Sequence, residues 1–197
     1  MKSLTNIIDP AHPTRLALAI LISSIIISAL TGIVIVLIGD FDETEVKVLA
    51  TAGSSAAFSI LSFPSLFHLE RKRYFYLTRL GINASLISLG MTIFAIWGPD
   101  ISNGEIYGKT LGSAMVFAFF INHALLMLIA QPKKSVIRAC QLITIFVIIT
   151  VGIMALIGIW ANDLPEIMLR ILATLIILDA LGTISVPIFI KISRSTR

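Results

Sequence analysis

Long apolar stretches alternate with short polar ones along this chain, and the polar ones alternate in charge. Six stretches lack formal charge over roughly the 20 residues a spanning helix needs at about 1.5 Å per residue, with Asp179 in the last as the exception. They predict transmembrane helices over about 15–38, 46–67, 76–97, 107–130, 136–160 and 167–190. Each even helix opens on one pattern, a glutamate, a base four residues on, then a small residue followed by a hydroxyl. The three copies read Glu43, Lys47, Ala50, Thr51, then Glu105, Lys109, Gly112, Ser113, then Glu166, Arg170, Ala173, Thr174. The odd helices carry Gly32, Gly90 and Gly152 in matching places, and Trp97 and Trp160 end two of them. Pro64 and Pro187 both stand thirteen residues after the patterned hydroxyl, where the second copy has Leu126.

The expected fold is therefore an all-α integral membrane protein, with six transmembrane helices arranged as three parallel two-helix hairpin repeats. The units cover about 15–67, 76–130 and 136–190 of a single membrane domain, 1–197. Repeats with the same chain direction are related by an axis along the membrane normal if they close into a ring, which suggests three hairpins packed around one another, with a linear or asymmetric arrangement as the alternative. Within each copy a carboxylate in the first helical turn meets the positive end of the helix dipole, and the base one turn later shares its face. Three local ion pairs follow: Glu43 with Lys47, Glu105 with Lys109, Glu166 with Arg170. The small residue and hydroxyl one turn deeper permit close helix approach.

Composition agrees with the pattern. At 57% hydrophobic and 13% charged residues, with a mean hydropathy of +0.98, the chain is too apolar for a soluble domain, where about 25% of residues are charged. Twelve of the 15 bases lie at the N-terminus (Lys2, Arg15), in the second and fourth connections (Arg71, Lys72, Arg73, Arg79; Lys133, Lys134, Arg138) and in the tail (Lys191, Arg194, Arg197). The odd connections are acidic, with Asp40, Asp42, Glu43 and Glu45, then Asp100 and Glu105, then Asp163 and Glu166. By the positive-inside bias both termini are cytoplasmic, and compact loops with this bias suit a bacterial inner membrane. The leader, with Asp9, Pro10 and Pro13, precedes an apolar run longer than a signal-peptide core, so the first helix is read as retained. A net charge of +4 then reflects topology and anionic headgroups, and nucleic acid is not an implied partner. Cys140, the one cysteine, lies inside the fifth span and reads as a small buried residue.

Candidate chemistry sits where one copy departs from the others. Asp179 is the single charge deep in a span, with Ala56 and Ala118 as its counterparts; an intramembrane carboxylate is expensive and a functional candidate by default. Asn122 and His123 replace Ile60 and Leu61 of the first copy and stand where the third has Thr183 and Ile184. Symmetric packing would put His123 and Asp179 about 140° apart and roughly 7 Å apart in depth, facing different axes, while Thr183 shares a helix face with Asp179. The histidines His12, His68 and His123 differ in depth, and no acid cluster, nucleophile elbow or phosphate loop is present, so no metal, cofactor or enzymatic role is expected. The run from His68 to Arg73, followed by Tyr74, Phe75 and Tyr76, reads as a topological anchor. Two functions suit these features. One is a non-catalytic structural or accessory membrane subunit, as a homo-oligomer or within a larger complex. The other is a small transporter or channel, with Asp179 titrating and the Glu/base pairs gating its outer side.

Overall fold

The computed structural model describes residues 13–38, 42–99, 103–161 and 164–195; Lys2, Asp9, Pro10, His12, Asp40, Asp100, Asp163 and Arg197, named above, lie outside them. Six helices account for nearly all of the described residues, with no strand among them: α1 (Pro13–Ile38), α2 (Glu43–Glu70), α3 (Phe75–Trp97), α4 (Gly104–Ile129), α5 (Ser135–Trp160) and α6 (Glu166–Ser195). Even α5, rich in β-branched isoleucine, is helical, because a spanning segment must bond its own backbone groups. Five of the helices, α2 to α6, are long and apolar enough to cross a membrane, and α1 contributes the apolar segment Ile22–Ile35. The helices overrun the predicted spans by a few residues because the patterned glutamates begin the first turn. α2 and α6 continue through Pro64 and Pro187.

Consecutive helices pack side by side throughout, and α2 also packs against α4. Among the described residues neither α2 with α6 nor α1 with α6 packs to a comparable extent, so consecutive packing makes a row, in which Arg71 after α2 and Pro187, Ile190 and Lys191 of α6 still line one hollow. Each even helix leans on the odd helix that follows it, which places α1 and α6 at opposite ends. Polar side chains bind α2 to α3 and α4.

Polarity runs inward, as a lipid surround requires. Isoleucines, leucines and phenylalanines cover the outside, while Ser65, His68, Thr78, Ser85, Ser88, Asn122, Gln141, Thr144 and Asp179 are buried. Apolar burial centres on Ala124, Met127, Ile137, Ile148 and Val186, with half-buried Cys140 packed against that cluster. Hydroxyls also bond one turn back along their own helix, as Thr51, Ser55, Ser59 and Ser62 do in α2.

Asn122 holds α2, α3 and α4 together. Its amide nitrogen donates to the carbonyls of Ala118 (2.8 Å) and Gly81 (3.4 Å) and to Ser85 Oγ (3.1 Å), and its oxygen accepts from Ser65 Oγ (2.5 Å). The close approach needs a glycine. A Cβ on Gly81 would run into Ser65 Oγ and lie 3.3 Å from Asn122 Oδ1. One turn further on, His68 Nε2 donates to the Leu125 carbonyl at 2.9 Å, while its Nδ1 is buried without a partner. This ring belongs to the interior, although the run it opens reads as a surface anchor. Its edge meets Tyr74, which adopts a left-handed backbone with Lys72 in the tight turn between α2 and α3. On the far side of α4, Gln141 donates to the carbonyls of Met127 (2.6 Å) and Ala130 (2.8 Å), satisfying acceptors that the last turn of α4 leaves open.

Candidate functional site

Asn122 and His123 are neighbours on α4, so their side chains leave the helix about 100° apart. Asn122 turns to α2 and α3, and His123 turns to α6. There His123 Nε2 lies 3.0 Å from Thr183 Oγ1 and 3.7 Å from Asp179 Oδ1, while Thr183 Oγ1 is 3.2 Å from that same carboxylate oxygen. The expectation that His123 and Asp179 face apart is thus corrected. It assumed a symmetric bundle, and in the row α4 uses two faces, one for each neighbouring unit. Thr183 stands on the Asp179 face, one helical turn along, with its hydroxyl between the other two groups.

The cluster is well shielded. Side-chain exposure is 16% for His123 and 11% for Asp179. Both line an open groove of about 520 Å³ between α4, α5 and α6, whose walls are otherwise mostly apolar and include half-exposed Phe119 and Ile176. Phe119 meets the His123 ring edge-on at 5.6 Å between centroids.

Hydrogen-bond accounting gives the cluster two complementary states. With Asp179 ionised and His123 carrying a proton on both ring nitrogens, the Thr183 hydroxyl donates to the carboxylate and accepts from His123 Nε2–H. When Asp179 is protonated, it donates to Thr183, whose hydroxyl turns to donate to an unprotonated Nε2. Passing between them moves one proton between carboxyl and imidazole, with the threonine oxygen as relay. Among the described residues no group of three or more His, Cys, Asp or Glu side chains is placed to hold a metal ion.

The patterned segments form a second set. Lys47 Nζ lies 2.6 Å from Glu43 Oε1, Lys109 Nζ 2.8 Å from Glu105 Oε1, and Arg170 Nη2 2.6 Å from Glu166 Oε1, each pair within one helix. The hydroxyl that follows is engaged from the next unit, as Trp97 Nε1 donates to Thr51 Oγ1 at 2.8 Å and Trp160 Nε1 donates to Ser113 Oγ at 2.9 Å. Both tryptophans therefore do more than mark an interface. They latch α3 onto α2 and α5 onto α4. With half-exposed indoles, each latch should contribute about 0.5–1 kcal/mol. A double-mutant cycle of Trp97→Phe and Thr51→Val, read by unfolding in detergent, should return a coupling of that size; zero coupling would reduce the contact to coincidence.

Several of these residues escaped the sequence reading. Gly81, Ser85 and Ser88 recur at helical spacing on α3, a signal that identifies a packed polar face once α3 is known to be central. Gln141, an amide in an otherwise apolar run, was the second available signal.

Fold and interior together define an all-helical, multi-pass membrane protein. No family model, no curated protein and no solved structure matches the chain.

Proposed function

We propose that this is a non-catalytic membrane protein that conducts protons as a small transporter, through the His123, Thr183 and Asp179 relay. The observation that carries the reading is the shared hydroxyl, which links a buried carboxylate to an imidazole on a different helix beside an open groove. A purely structural hydrogen bond needs only one polar partner for Asp179. Here three groups form a chain that can run in either direction, which is what a proton path requires. In this reading all six helices span a bacterial inner membrane with both termini cytoplasmic, as the distribution of bases indicates. The test is reconstitution into liposomes with an entrapped pH-sensitive dye and an imposed potassium diffusion potential. Proton entry well above that of protein-free vesicles is expected, and entry equal to theirs would sink the reading.

A second reading, a subunit of a larger membrane assembly, is favoured by a separate observation. The end of the row at α6 is uncovered where equivalent surfaces on α2 and α4 are covered.

A further inference from the structure

The three glutamate-base-hydroxyl segments are chemically alike and differ in what lies over them. Side-chain exposure is 34% for Lys47 and 24% for Lys109, against 73% for Arg170. Thr51 and Ser113 are half-buried, and each accepts an indole N–H from the odd helix that follows in the chain. Thr174 is exposed, and its hydroxyl donates to the Arg170 carbonyl at 2.9 Å, as Thr51 and Ser113 donate to Lys47 and Lys109. What copies one and two receive in addition, copy three does not. Ala173 and Ile177, beside Thr174, are exposed as well. The missing cover is a helix of the α3 and α5 kind, running toward the acidic connections.

The other end of the row has such a helix to offer. α1 runs in the same direction as α3 and α5, packs extensively only on α2, and leaves Ile26, Leu30, Ile33 and Val34 about half exposed. It brings no indole. The chain just beyond it is acidic, with Asp42 exposed at the start of α2, and the segment that lacks cover is the one that carries arginine where the covered two carry lysine. A guanidinium pairs with a carboxylate in a fixed two-pronged geometry that an ammonium does not supply.

We infer that the uncovered edge of α6 around Arg170 and Thr174 is the docking surface for α1 of a second copy, so that the row continues head to tail in the same membrane orientation. This rests on the subunit reading above and names the partner; it is independent of proton conduction. A contact of this kind joins two different surfaces of one chain, so it builds a ring when the turn per copy closes.

Two tagged single-cysteine chains test it, both in a Cys140→Ser background: Thr174→Cys in one, Leu30→Cys or Val34→Cys in the other, co-expressed and oxidised in native membranes. A disulfide joining the two tags is expected, and adding Arg170→Glu to the first chain should lower its yield about fivefold. Native mass spectrometry of the wild-type protein from the same membranes separates the remaining outcomes. Absence of the mixed disulfide with an unrelated chain at fixed stoichiometry would overturn the head-to-tail contact and leave the subunit reading standing. If the mixed disulfide is absent and the protein is monomeric, both fall. A Thr174→Cys disulfide between like-tagged chains alone would overturn the inference in favour of an α6-to-α6 contact. Since each substitution lies on an exposed lipid-facing position, monodisperse elution of each variant serves as the folding control.

Discussion

Gly81→Val will cost this protein roughly 2–4 kcal/mol of stability, while Gly90→Val, nine residues along the same helix, will cost a small fraction of that. Both changes put the same side chain on α3. At Gly90 nothing lies within 4 Å of the added Cβ, whereas at Gly81 the new atom meets Ser65 Oγ and Asn122 Oδ1. Those two oxygens are bonded to each other, and Asn122 in turn holds Ser85 and two backbone carbonyls. Overpacking therefore separates the helices and strands several buried polar groups, which cannot turn to water for partners. Unfolding of both variants in one detergent, followed by near-ultraviolet circular dichroism, measures the difference. Equal losses would mean that glycine matters here through helix propensity alone and that the Asn122 network does not determine how α2, α3 and α4 pack.

Asp179→Asn will lower proton flux by about 100-fold, the scale on which a positioned proton-transfer group acts, and will leave the protein folded. Asparagine keeps an oxygen that can accept from Thr183 and matches the carboxylate in shape, so the α4 to α6 contact survives. What it cannot do is gain and lose the proton. Thr183→Val should lower the flux for a different reason, by removing the oxygen between the two titrating groups, and Thr183→Ser should restore it. That rescue distinguishes a relay from packing, because serine returns the hydroxyl and not the methyl. Flux retained in Asp179→Asn would remove the carboxylate from the path, and equal flux in the valine and serine variants would remove the hydroxyl.

The spans were readable because a charge-free stretch of helical length has few alternatives in a bilayer, and the local Glu/base pairs because they depend on spacing within a single helix. Neighbour relations between helices were not readable in the same way. Asp179, His123 and Thr183 were each identifiable as polar residues in apolar surroundings. Their meeting was hidden, because equal copies invited an assumption of equal packing, and adjacent residues on α4 in fact serve different partners. Ser65 and Ser85 were hidden more deeply. A helical serine can satisfy itself one turn back, as Ser55 and Ser59 do, so a serine carries no mark of whether it reaches across to another helix.

Gln141 bears on how the chain is made. The carbonyls of Met127 and Ala130 at the end of α4 find their donor on α5, which emerges from the ribosome later. Until α5 stands beside α4, those two carbonyls depend on water for their donors. The amide of one residue thus ties the end of the second hairpin to the arrival of the third.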